Sequence, residues 1–381
     1  MFTKEKIEAC YESMLPLMKR APRTWAKSCV YTEDSIHQLS PYIGKLKSSI
    51  AKNLIAKYSK RGQLVVDPFA GSGTIPYQAH LMSRKVFASD ISIYAKLLSK
   101  GKLSAPATEE EALQTAERLL RIAVGLPEPN LATVPDWVQD FFHPKTLVEI
   151  LKFATVARRT GNEFYFACFL GILHHQRPGF LSYPASHLTP YLRNNKYPRE
   201  EYPEMYEYRE LRSRLLAKIQ RSFKQHSSIS EDWEYRHSSV ENVTFPDKFD
   251  ALITSPPYMN TLDYGRDNRL RLWFINPEYN KPLDVPATKS RGAFEHAIQI
   301  LARKVEQGLN QQGYCVLVVG EQAKGKVQYL SSIILALFEK HAPSLSLQQV
   351  IVDKIPDVRR ARRNYKGTKN EHILIFRKDD L

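Results

Sequence analysis

Short apolar runs separated by helical stretches recur along this chain, and this alternation constrains its fold more than any other feature. Six runs are strongly apolar and one, EYRHSS, is weaker; they cover residues 63–67, 85–90, 234–239, 249–255, 313–320, 347–355 and 372–378. Buried strands joined by helices are typical of a parallel sheet. The loop between the last two runs is too short for a crossover helix, so these two strands are predicted to be antiparallel. The sequence therefore predicts an α/β fold with a seven-stranded, mostly parallel sheet that contains one antiparallel strand.

The spacing of the strands locates a helical insertion after the second one. Two strand–helix steps need only about 60 residues, so the distance from Asp90 to Thr254 leaves about 100 residues in surplus. Residues 101–228 supply them, with helical apolar spacing in 109–125, 144–161 and 199–224 and a proline-rich break before the last of these. We predict three parts: residues 1–100 begin the catalytic domain, residues 101–228 form a helical insertion that is a candidate target-recognition region, and residues 229–381 complete the catalytic domain.

Charge and composition narrow the class of partner. The 55 lysines and arginines outnumber the 40 aspartates and glutamates and give a net charge of +15, which favours a polyanionic partner such as nucleic acid. The four cysteines, Cys10, Cys29, Cys168 and Cys315, form no CxxC pair, which argues against a disulfide scaffold and a zinc ribbon and favours a reducing compartment. The N-terminus lacks the apolar region of a signal peptide, and no run approaches the roughly 20 apolar residues of a membrane helix. We therefore expect a cytoplasmic protein that binds no membrane.

The segment VVDPFAGSGT, residues 65–74, has the pattern of a strand, a tight turn and the start of a helix. Gly71 and Gly73 let the backbone approach a ligand, as in other doubly wound sheets, although the third glycine of a dinucleotide-binding motif is missing. Asp90 ends the next strand, where a carboxylate can accept hydrogen bonds from ribose hydroxyls. A turn without a ligand and a helix-capping aspartate are the simpler alternatives. The combination of strand, turn and second aspartate favours a ligand site.

A second motif, TSPPY at residues 254–258, follows the buried strand FDALI. Two prolines fix the turn and remove two N–H donors, so the carbonyl group of Pro256 is free to accept a hydrogen bond from a substrate amine. Ser255 adds a hydroxyl group and Tyr258 adds a flat aromatic face. A plain loop is the alternative, but a buried strand followed by SPPY is a rare combination. The pattern indicates a site for a planar, amine-bearing substrate.

Together, DPFAGSGT and TSPPY resemble the motifs of the amino-methyltransferases of DNA, which make N4-methylcytosine or N6-methyladenine. The resemblance extends over residues 40–100 and 234–377, and the segment SPYIGKLKSSIA (40–51) is similar to the N-terminal cofactor segment of that family. It implies a class I methyltransferase fold of Rossmann-like type and S-adenosyl-L-methionine as cofactor. The implied cofactor-binding residues are Asp67, Pro68, Phe69, Gly71, Gly73, Thr74, Asp90 and Ile91. The implied catalytic residues are Ser255, Pro256, Pro257 and Tyr258, which would hold a base flipped out of the duplex.

The resemblance also bears on the product and shows two departures from the family. A serine before Pro-Pro-Tyr is commoner in the N4-cytosine enzymes, so N4-methylcytosine is the favoured product and N6-methyladenine is the alternative. The insertion lies before the weak third strand, whereas the family usually carries its recognition region after that strand. The second departure lies in SSVEN (238–242), where the family often has an acidic residue that contacts the adenine of the cofactor. Ser238 or Ser239 is the candidate to replace that residue here.

Double-stranded DNA is the expected partner, with a restriction endonuclease of the same site as a further candidate. Phosphate contacts position a protein on DNA and base contacts read the sequence. We assign the C-terminal basic run to positioning and the insertion, which also carries a basic run over residues 209–221, to reading. The predicted DNA-binding residues are Arg177, Tyr183, His187, Arg193, Tyr264, Arg266, Arg359, Arg360, Arg362 and Arg363. No metal site is predicted, since His174 and His175 lack a third spaced ligand.

Two other functions remain open at this stage. Related enzymes methylate amines of RNA bases with similar Pro-Pro-Tyr motifs, but they usually carry an appended RNA-binding module, which this sequence lacks. A catalytically inactive nucleic-acid-binding protein is the second alternative, and the intact glycines, Asp90 and SPPY argue against it. A C5-cytosine enzyme is disfavoured because no cysteine follows a proline.

Overall fold

The structure is a computed structural model in which strands, helices and side chains are described for most of the chain. The described residues are 2–26, 33–175, 179–183, 195–227, 232–257, 265, 268–278, 290–321, 329–354 and 370–380. Within them, no helix combines the length and the apolar character that crossing a membrane requires.

The described strands outside the insertion form one sheet of eight strands. The strands are β1 Met18–Arg20, β2 Leu64–Asp67, β3 Lys85–Asp90, β4 Trp233–His237, β5 Phe249–Thr254, β6 Leu309–Glu321, β7 Leu345–Lys354 and β8 Asn370–Lys378. Their order is β1-β7-β8-β6-β5-β2-β3-β4. Strand β8 is antiparallel to both β6 and β7, and the other neighbours are parallel. The predicted α/β class and the antiparallel strand are confirmed.

The predicted number of strands is one too small, because the short edge strand β1 was not foreseen. It consists of Met-Lys-Arg and pairs with β7 in register Met18 with Val350. Two of its three side chains are exposed, so it carries no buried apolar run that could identify it in a sequence. A charged edge strand of this kind also discourages pairing with other chains.

Thirteen helices are described outside the sheet. They are α1 Lys4–Met14, α2 Arg23–Ala26, α3 Ser48–Tyr58, α4 Thr74–Leu81, α5 Ile93–Leu103, α6 Glu109–Val124, α7 Asp136–Gln139, α8 Pro144–Thr160, α9 Glu163–Leu173, α10 Leu211–Phe223, α11 Arg269–Ile275, α12 Arg291–Gly308 and α13 Leu330–His341. Alternate strand residues reach opposite cores: Leu252 packs with α1, α12 and α13, whereas Ile253 packs with α3 and α4. Because both faces of the sheet are covered, the middle residues of the central strands are mainly apolar.

The helices of the insertion share one hydrophobic core with α5, with Tyr77 of α4 and with Ile36 and Leu39 of the N-terminal segment. Helices α6 and α8 match two of the predicted helical stretches. In the third, residues 199–224, only Leu211–Phe223 forms an α-helix, and a single 3-10 turn at Pro203–Tyr206 precedes it. The apolar helix α9 is buried on all sides, so it has no amphipathic period and was not predicted. Helix α11, which follows the TSPPY motif in the sequence, also packs into this core.

The N-terminal segment 33–47 runs between the insertion and the sheet helices. A Cβ atom on Gly171 of α9 would lie 2.0 Å from the carbonyl oxygen of Leu39, so only glycine permits this approach. On the other side, the hydroxyl groups of Ser40 and Tyr94 are 2.7 Å apart. The segment therefore reaches the sheet edge with one side against α9 and the other against α5.

Candidate active site

A cavity of about 360 Å³ lies at the carboxyl ends of β2, β3 and β5. This is the edge of the sheet where ligands of doubly wound folds bind, next to the point at which the strand order reverses. The predicted residues that line it are Asp67, Pro68, Phe69, Gly71, Thr74, Asp90, Ile91, Ser255, Pro256 and Pro257. The structure thus brings the glycine turn and the Ser-Pro-Pro turn to one space, although they are far apart in the sequence. Tyr258 lies outside the described residues, and its role stays a prediction.

Asp90 holds the glycine turn at the edge of this cavity. One of its carboxylate oxygens accepts a hydrogen bond from the backbone N–H of Gly71 at 2.8 Å, and the other accepts from that of Ser92 at 2.8 Å. Burial raises the pKa of Asp90 to about 6, although these backbone hydrogen bonds oppose the rise. A carboxylate oxygen can accept more than one hydrogen bond, so Asp90 keeps acceptor capacity for hydroxyl groups in the cavity. Ile91 beside it remains 41% exposed and presents an apolar side chain to the same space.

A buried hydrogen bond joins the two motifs directly. The hydroxyl group of Thr254 donates to Oδ1 of Asp67 at 2.6 Å, and both side chains are almost fully buried. Burial raises the pKa of Asp67 to about 7, with a further contribution from the negative charge of Asp90. Sequence reasoning gave Thr254 no role, because the pairing of β5 with β2 that brings it to Asp67 is visible only in the fold. The link fixes the Ser-Pro-Pro turn relative to the glycine turn.

The Ser-Pro-Pro turn presents acceptors to the cavity. The Ser255 hydroxyl group donates to the carbonyl oxygen of Val318 in β6 at 3.2 Å, which leaves the lone pairs of its own oxygen to accept. Pro256 is buried, and the prolines at 256 and 257 contribute no N–H donors. Both side-chain and backbone groups of this turn can therefore accept hydrogen bonds from an amine.

The two glycines of the turn have different roles. Gly71 lines the cavity with φ +51°, whereas Gly73 does not line it. At Gly73, φ is +72° and a Cβ atom would lie 2.7 Å from Cα of Ser99 in α5. The structure therefore gives Gly73 a packing role between the turn and α5, and its contact with a cofactor stays a prediction.

Two further segments complete the wall of the cavity. From the N-terminal segment 40–51 come Tyr42, Gly44, Lys45 and Leu46, and from the loop after β4 come Ser239, Val240, Glu241 and Asn242. Ser239, one of the two serines considered for this loop, lines the cavity, but Ser238 does not. Glu241 and Asn242 were missed, since only the fold shows which residues of SSVEN face the cavity.

Lys45 brings a cationic group to the wall. Its Nζ donates to the carbonyl oxygen of His37 at 2.5 Å, and burial lowers its pKa to about 8. Behind the glycine turn, Nζ of the buried Lys102 donates to the carbonyl oxygen of Ser72 at 2.5 Å. Burial and the charge of Lys45 lower the pKa of Lys102 well below its ordinary value. Of the two amines only Lys45 lines the cavity and is available to an anionic group, whereas Lys102 serves as a hydrogen-bond donor to the glycine turn.

Most of the predicted DNA-binding residues lie outside the described residues. These are Arg177, His187, Arg193, Tyr264, Arg266, Arg359, Arg360, Arg362 and Arg363. Tyr183 is described and is only 5% exposed; its ring lies 4.9 Å from that of Tyr206 beside a second cavity of about 420 Å³ in the insertion. Contact between Tyr183 and DNA stays a prediction.

The basic run of the insertion is largely engaged within the protein. Arg209 donates to the carbonyl oxygen of Phe180 at 2.9 Å, and Lys218 donates to that of Gln38 at 2.6 Å. Arg212 forms an ion pair with Glu117. These side chains hold the insertion together and attach it to the N-terminal segment, so they are poor candidates for binding phosphates.

The two adjacent histidines are also packed internally. Nδ1 of His174 lies 2.8 Å from the hydroxyl oxygen of Ser182, and the ring of His175 stacks on Phe180 with 4.8 Å between centroids. Across the part of the chain that the structure describes, no group of three His, Cys, Asp or Glu side chains could hold a metal ion.

Comparison with known proteins gives one family match. The sequence model of the N6/N4 DNA methylases, described as DNA methylase, matches residues 4–100. This region contains β2, the glycine turn and Asp90, and the match supports a methyltransferase that uses S-adenosyl-L-methionine. No curated protein matches the chain significantly.

Solved structures with similar backbones are methyltransferases of low sequence identity. They include TrmN from Thermus thermophilus (11% identity, TM-score 0.35, 88% of this chain and 50% of that chain) and an rRNA methylase from Streptococcus thermophilus (10%, 0.36, 88% and 98%). A third is the rRNA methyltransferase aviRa from Streptomyces viridochromogenes (11%, 0.32, 94% of each chain). This chain spans half the length of the TrmN chain. At these scores the similarities carry no argument about substrate, and the fold assignment depends on the strand order itself.

Proposed function

We propose that this protein is a DNA methyltransferase that transfers a methyl group from S-adenosyl-L-methionine to the exocyclic amine of a flipped base. The observation that carries the proposal is the single cavity shared by the glycine turn with Asp90 and by the Ser-Pro-Pro turn, which Asp67 and Thr254 hold together. The family match to the DNA methylases over residues 4–100 supports it independently.

The residues of the wall fit the chemical groups of this cofactor. Asp90 would accept hydrogen bonds from the ribose hydroxyls, and Ile91 would supply an apolar contact to the adenine. Glu241 and Asn242, on the loop after β4, would hold the polar atoms of the adenine. Lys45 would supply a cation for the carboxylate of the amino-acid end. The bound cofactor supplies an electrophilic methyl group for in-line displacement.

The Ser-Pro-Pro turn acts on the substrate amine. The lone pair of an exocyclic amine is delocalised into the ring, so the nitrogen is a poor nucleophile. When the Ser255 oxygen and the Pro256 carbonyl oxygen accept hydrogen bonds from the two N–H groups of the amine, they favour a pyramidal nitrogen with a localised lone pair. Because both acceptors are fixed by the sheet, they need no reorganisation during the reaction. Holding the amine in line with the methyl group supplies much of the remaining rate.

N4-methylcytosine is the product that we favour, on the basis of Ser255 before the two prolines, and N6-methyladenine is the alternative. The test is methylation of a random duplex library, followed by single-molecule sequencing and mass spectrometry of the digested DNA. A pure N6-methyladenine signal would reject the cytosine assignment. Ser255→Ala should lower the turnover number and leave cofactor affinity unchanged.

RNA methylation and simple nucleic-acid binding are the competing functions. DNA methylation and RNA methylation are distinguished by offering the library as duplex DNA and as RNA in one reaction with a cofactor that carries a labelled methyl group. Transfer of the label to RNA alone would refute the DNA assignment. Simple nucleic-acid binding is tested by calorimetry with S-adenosyl-L-methionine, because an inactive binding protein need not bind the cofactor. A restriction endonuclease paired with this enzyme would cleave the same site when it is unmethylated, so the methylated sequence supplies the substrate for testing such a nuclease.

A further inference from the structure

The N-terminal segment 33–47 forms part of the cavity wall without belonging to the sheet. Four of its residues line the cofactor cavity: Tyr42, Gly44, Lys45 and Leu46. Its end leads into α3, but before the cavity-lining residues its regular structure is a single 3-10 turn, Ser35–Gln38. A turn of four residues has few and weak internal hydrogen bonds, so contacts with neighbouring elements must determine where this part of the segment lies.

The insertion makes two polar contacts with the start of this segment. Nζ of Lys218 in α10 donates to the carbonyl oxygen of Gln38 at 2.6 Å. Just after α10, Nδ1 of His226 lies 3.2 Å from Oδ2 of Asp34, and the backbone N–H of Ser227 donates to the same oxygen at 3.0 Å. The side chains of Asp34 and His226 are each 7% exposed, so water competes little for this contact.

Helix α9 of the insertion packs against the same stretch. A Cβ atom on Gly171 would lie 2.0 Å from the carbonyl oxygen of Leu39 and 3.2 Å from Cε of Lys218, so the segment, α9 and α10 meet at one point. The side chains of Ile36 and Leu39 are fully buried in the core that they share with the insertion helices. Residues 34–39 are therefore held by apolar packing as well as by hydrogen bonds, and the partners in both belong to the insertion.

A hydrogen bond connects this stretch to the cavity wall. The carbonyl oxygen of His37, inside the turn that the insertion holds, accepts from Nζ of Lys45 at 2.5 Å, and Lys45 lines the cavity. Between them, the hydroxyl group of Tyr94 in α5 donates to the carbonyl oxygen of Pro41 at 2.7 Å. The catalytic part thus holds the middle of the segment, whereas the insertion holds the turn that fixes the amine of Lys45.

We propose that the insertion positions the segment 33–47 at the cofactor cavity through Lys218 and His226, and so sets the affinity for S-adenosyl-L-methionine. The inference rests on the proposed function for the place of the cofactor, and it does not depend on which nucleic acid is methylated.

The expected effect is on cofactor binding and not on the reaction step. When the turn is released, only a fraction of the molecules hold the segment in the binding-competent position, and the apparent affinity falls by that fraction. The Ser-Pro-Pro turn is held separately, by Asp67 and Val318, so the turnover number at saturating cofactor should stay near that of the wild type. Neither Lys218 nor His226 lines the cavity, and both are positioning residues.

The test compares Lys218→Met and the double variant Lys218→Met, His226→Leu with Lys378→Met. Lys378 is a matched control because its Nζ also donates to a backbone carbonyl, that of Glu306 at 2.5 Å, but at the opposite edge of the sheet. In calorimetry with S-adenosylhomocysteine, we expect binding about fivefold weaker for Lys218→Met and at least about tenfold weaker for the double variant. Lys378→Met should stay within about twofold of the wild type. Lys218→Arg keeps a cationic donor and should recover most of the affinity.

Amide hydrogen exchange gives a readout that requires neither activity nor a ligand. The backbone N–H groups of Ile36, His37 and Leu39 are hydrogen-bonded in the turn, so their exchange measures how often the turn opens. Peptides from residues 33–47 should exchange faster in Lys218→Met than in the wild type, and they should not change in Lys378→Met.

The inference is overturned if this exchange is unchanged in Lys218→Met, or if folded Lys218→Met binds S-adenosylhomocysteine as tightly as Lys378→Met does. Because it uses the single variant, this comparison also holds if the double variant does not fold. A wild-type protein that binds no S-adenosylhomocysteine refutes the proposed function instead, and the exchange experiment still tests the positioning.

Discussion

Replacement of Asp90 by alanine tests the cofactor site at its most connected residue. The change removes the acceptors for the backbone N–H groups of Gly71 and Ser92, each at 2.8 Å. It also removes the carboxylate that we assign to the ribose hydroxyls. The variant is therefore expected to lose both conformational stability and cofactor affinity, and the two losses have different sizes.

The magnitudes follow from the number and kind of hydrogen bonds. A hydrogen bond to a charged group contributes about 1.5–3 kcal/mol, so loss of the two backbone bonds should lower the free energy of unfolding by about 2–4 kcal/mol after partial replacement by solvent. Loss of the ribose contacts should weaken cofactor binding by at least about tenfold and up to about a hundredfold, which is about 1.4–2.8 kcal/mol. Typical proteins retain a folded state after such a loss.

Asp250→Ala is the matched control for this experiment. Asp250 also accepts a backbone N–H, from Leu64 at 2.9 Å, together with the side-chain amide of Asn310 at 3.0 Å, but it lies at the opposite edge of the sheet. Thermal denaturation should show similar destabilisation of both variants, while calorimetry should show weaker cofactor binding only for Asp90→Ala. Equal cofactor affinity in the two folded variants would remove Asp90 from the site.

Four other predictions concern the glycine turn, the pH dependence of cofactor affinity and of stability, and the DNA contacts. Gly73→Ala should lower the free energy of unfolding by about 1–3 kcal/mol, since its Cβ would lie 2.7 Å from Cα of Ser99; an unchanged melting temperature would contradict this close packing. Cofactor affinity, measured by calorimetry, should rise as the pH increases from about 5 to about 7.5, because Asp90, with a pKa of about 6, becomes the better acceptor when ionised; a flat profile would contradict this. In the ligand-free protein, by contrast, the melting temperature should fall as the pH rises. The raised pKa values of Asp67 and Asp90 contribute stability that is fully present below about pH 4 and is lost as the pH rises through about 6 and 7. Neutralising the C-terminal basic run, Arg359, Arg360, Arg362 and Arg363, should weaken binding to all DNA sequences. It should also reduce the slope of log affinity against log salt concentration by about 0.9 per lost phosphate contact. Substitutions in 177–199 should instead reduce the difference in binding free energy between cognate and non-cognate DNA by about 1–3 kcal/mol per base contact; the reverse result would exchange the two assignments.

The sheet was predictable because its central strands are buried on both faces. Val65 and Val66, for example, pack into different cores, so consecutive residues of such a strand are apolar. The same reasoning fails for β1, which pairs through its backbone and leaves its charged side chains in solvent. It also fails for α9, where burial on every side removes the periodicity that identifies a helix.

The site was predictable where a motif is local and unpredictable where the fold joins distant segments. The glycine turn and the Ser-Pro-Pro turn each follow a strand, so their position at the carboxyl edge follows from the sheet. The bond between Thr254 and Asp67 depends on β5 lying beside β2, which no local pattern states. Likewise, the sequence does not show whether a basic residue such as Arg209 binds a phosphate group or, as here, a carbonyl oxygen of its own chain.

The position of the insertion between β3 and β4 bears on how the chain is assembled. In the finished sheet β2 lies between β3 and β5, yet β4 and β5 are synthesised only after the whole insertion. Until then the β2–β3 pair has two open edges, which are sites for aggregation. Pairing β4 with β3 also closes a long loop, and closing it costs less entropy once the insertion has folded and shortened that loop. Destabilising the insertion should therefore slow folding and increase aggregation during synthesis before it measurably lowers the stability of the folded protein.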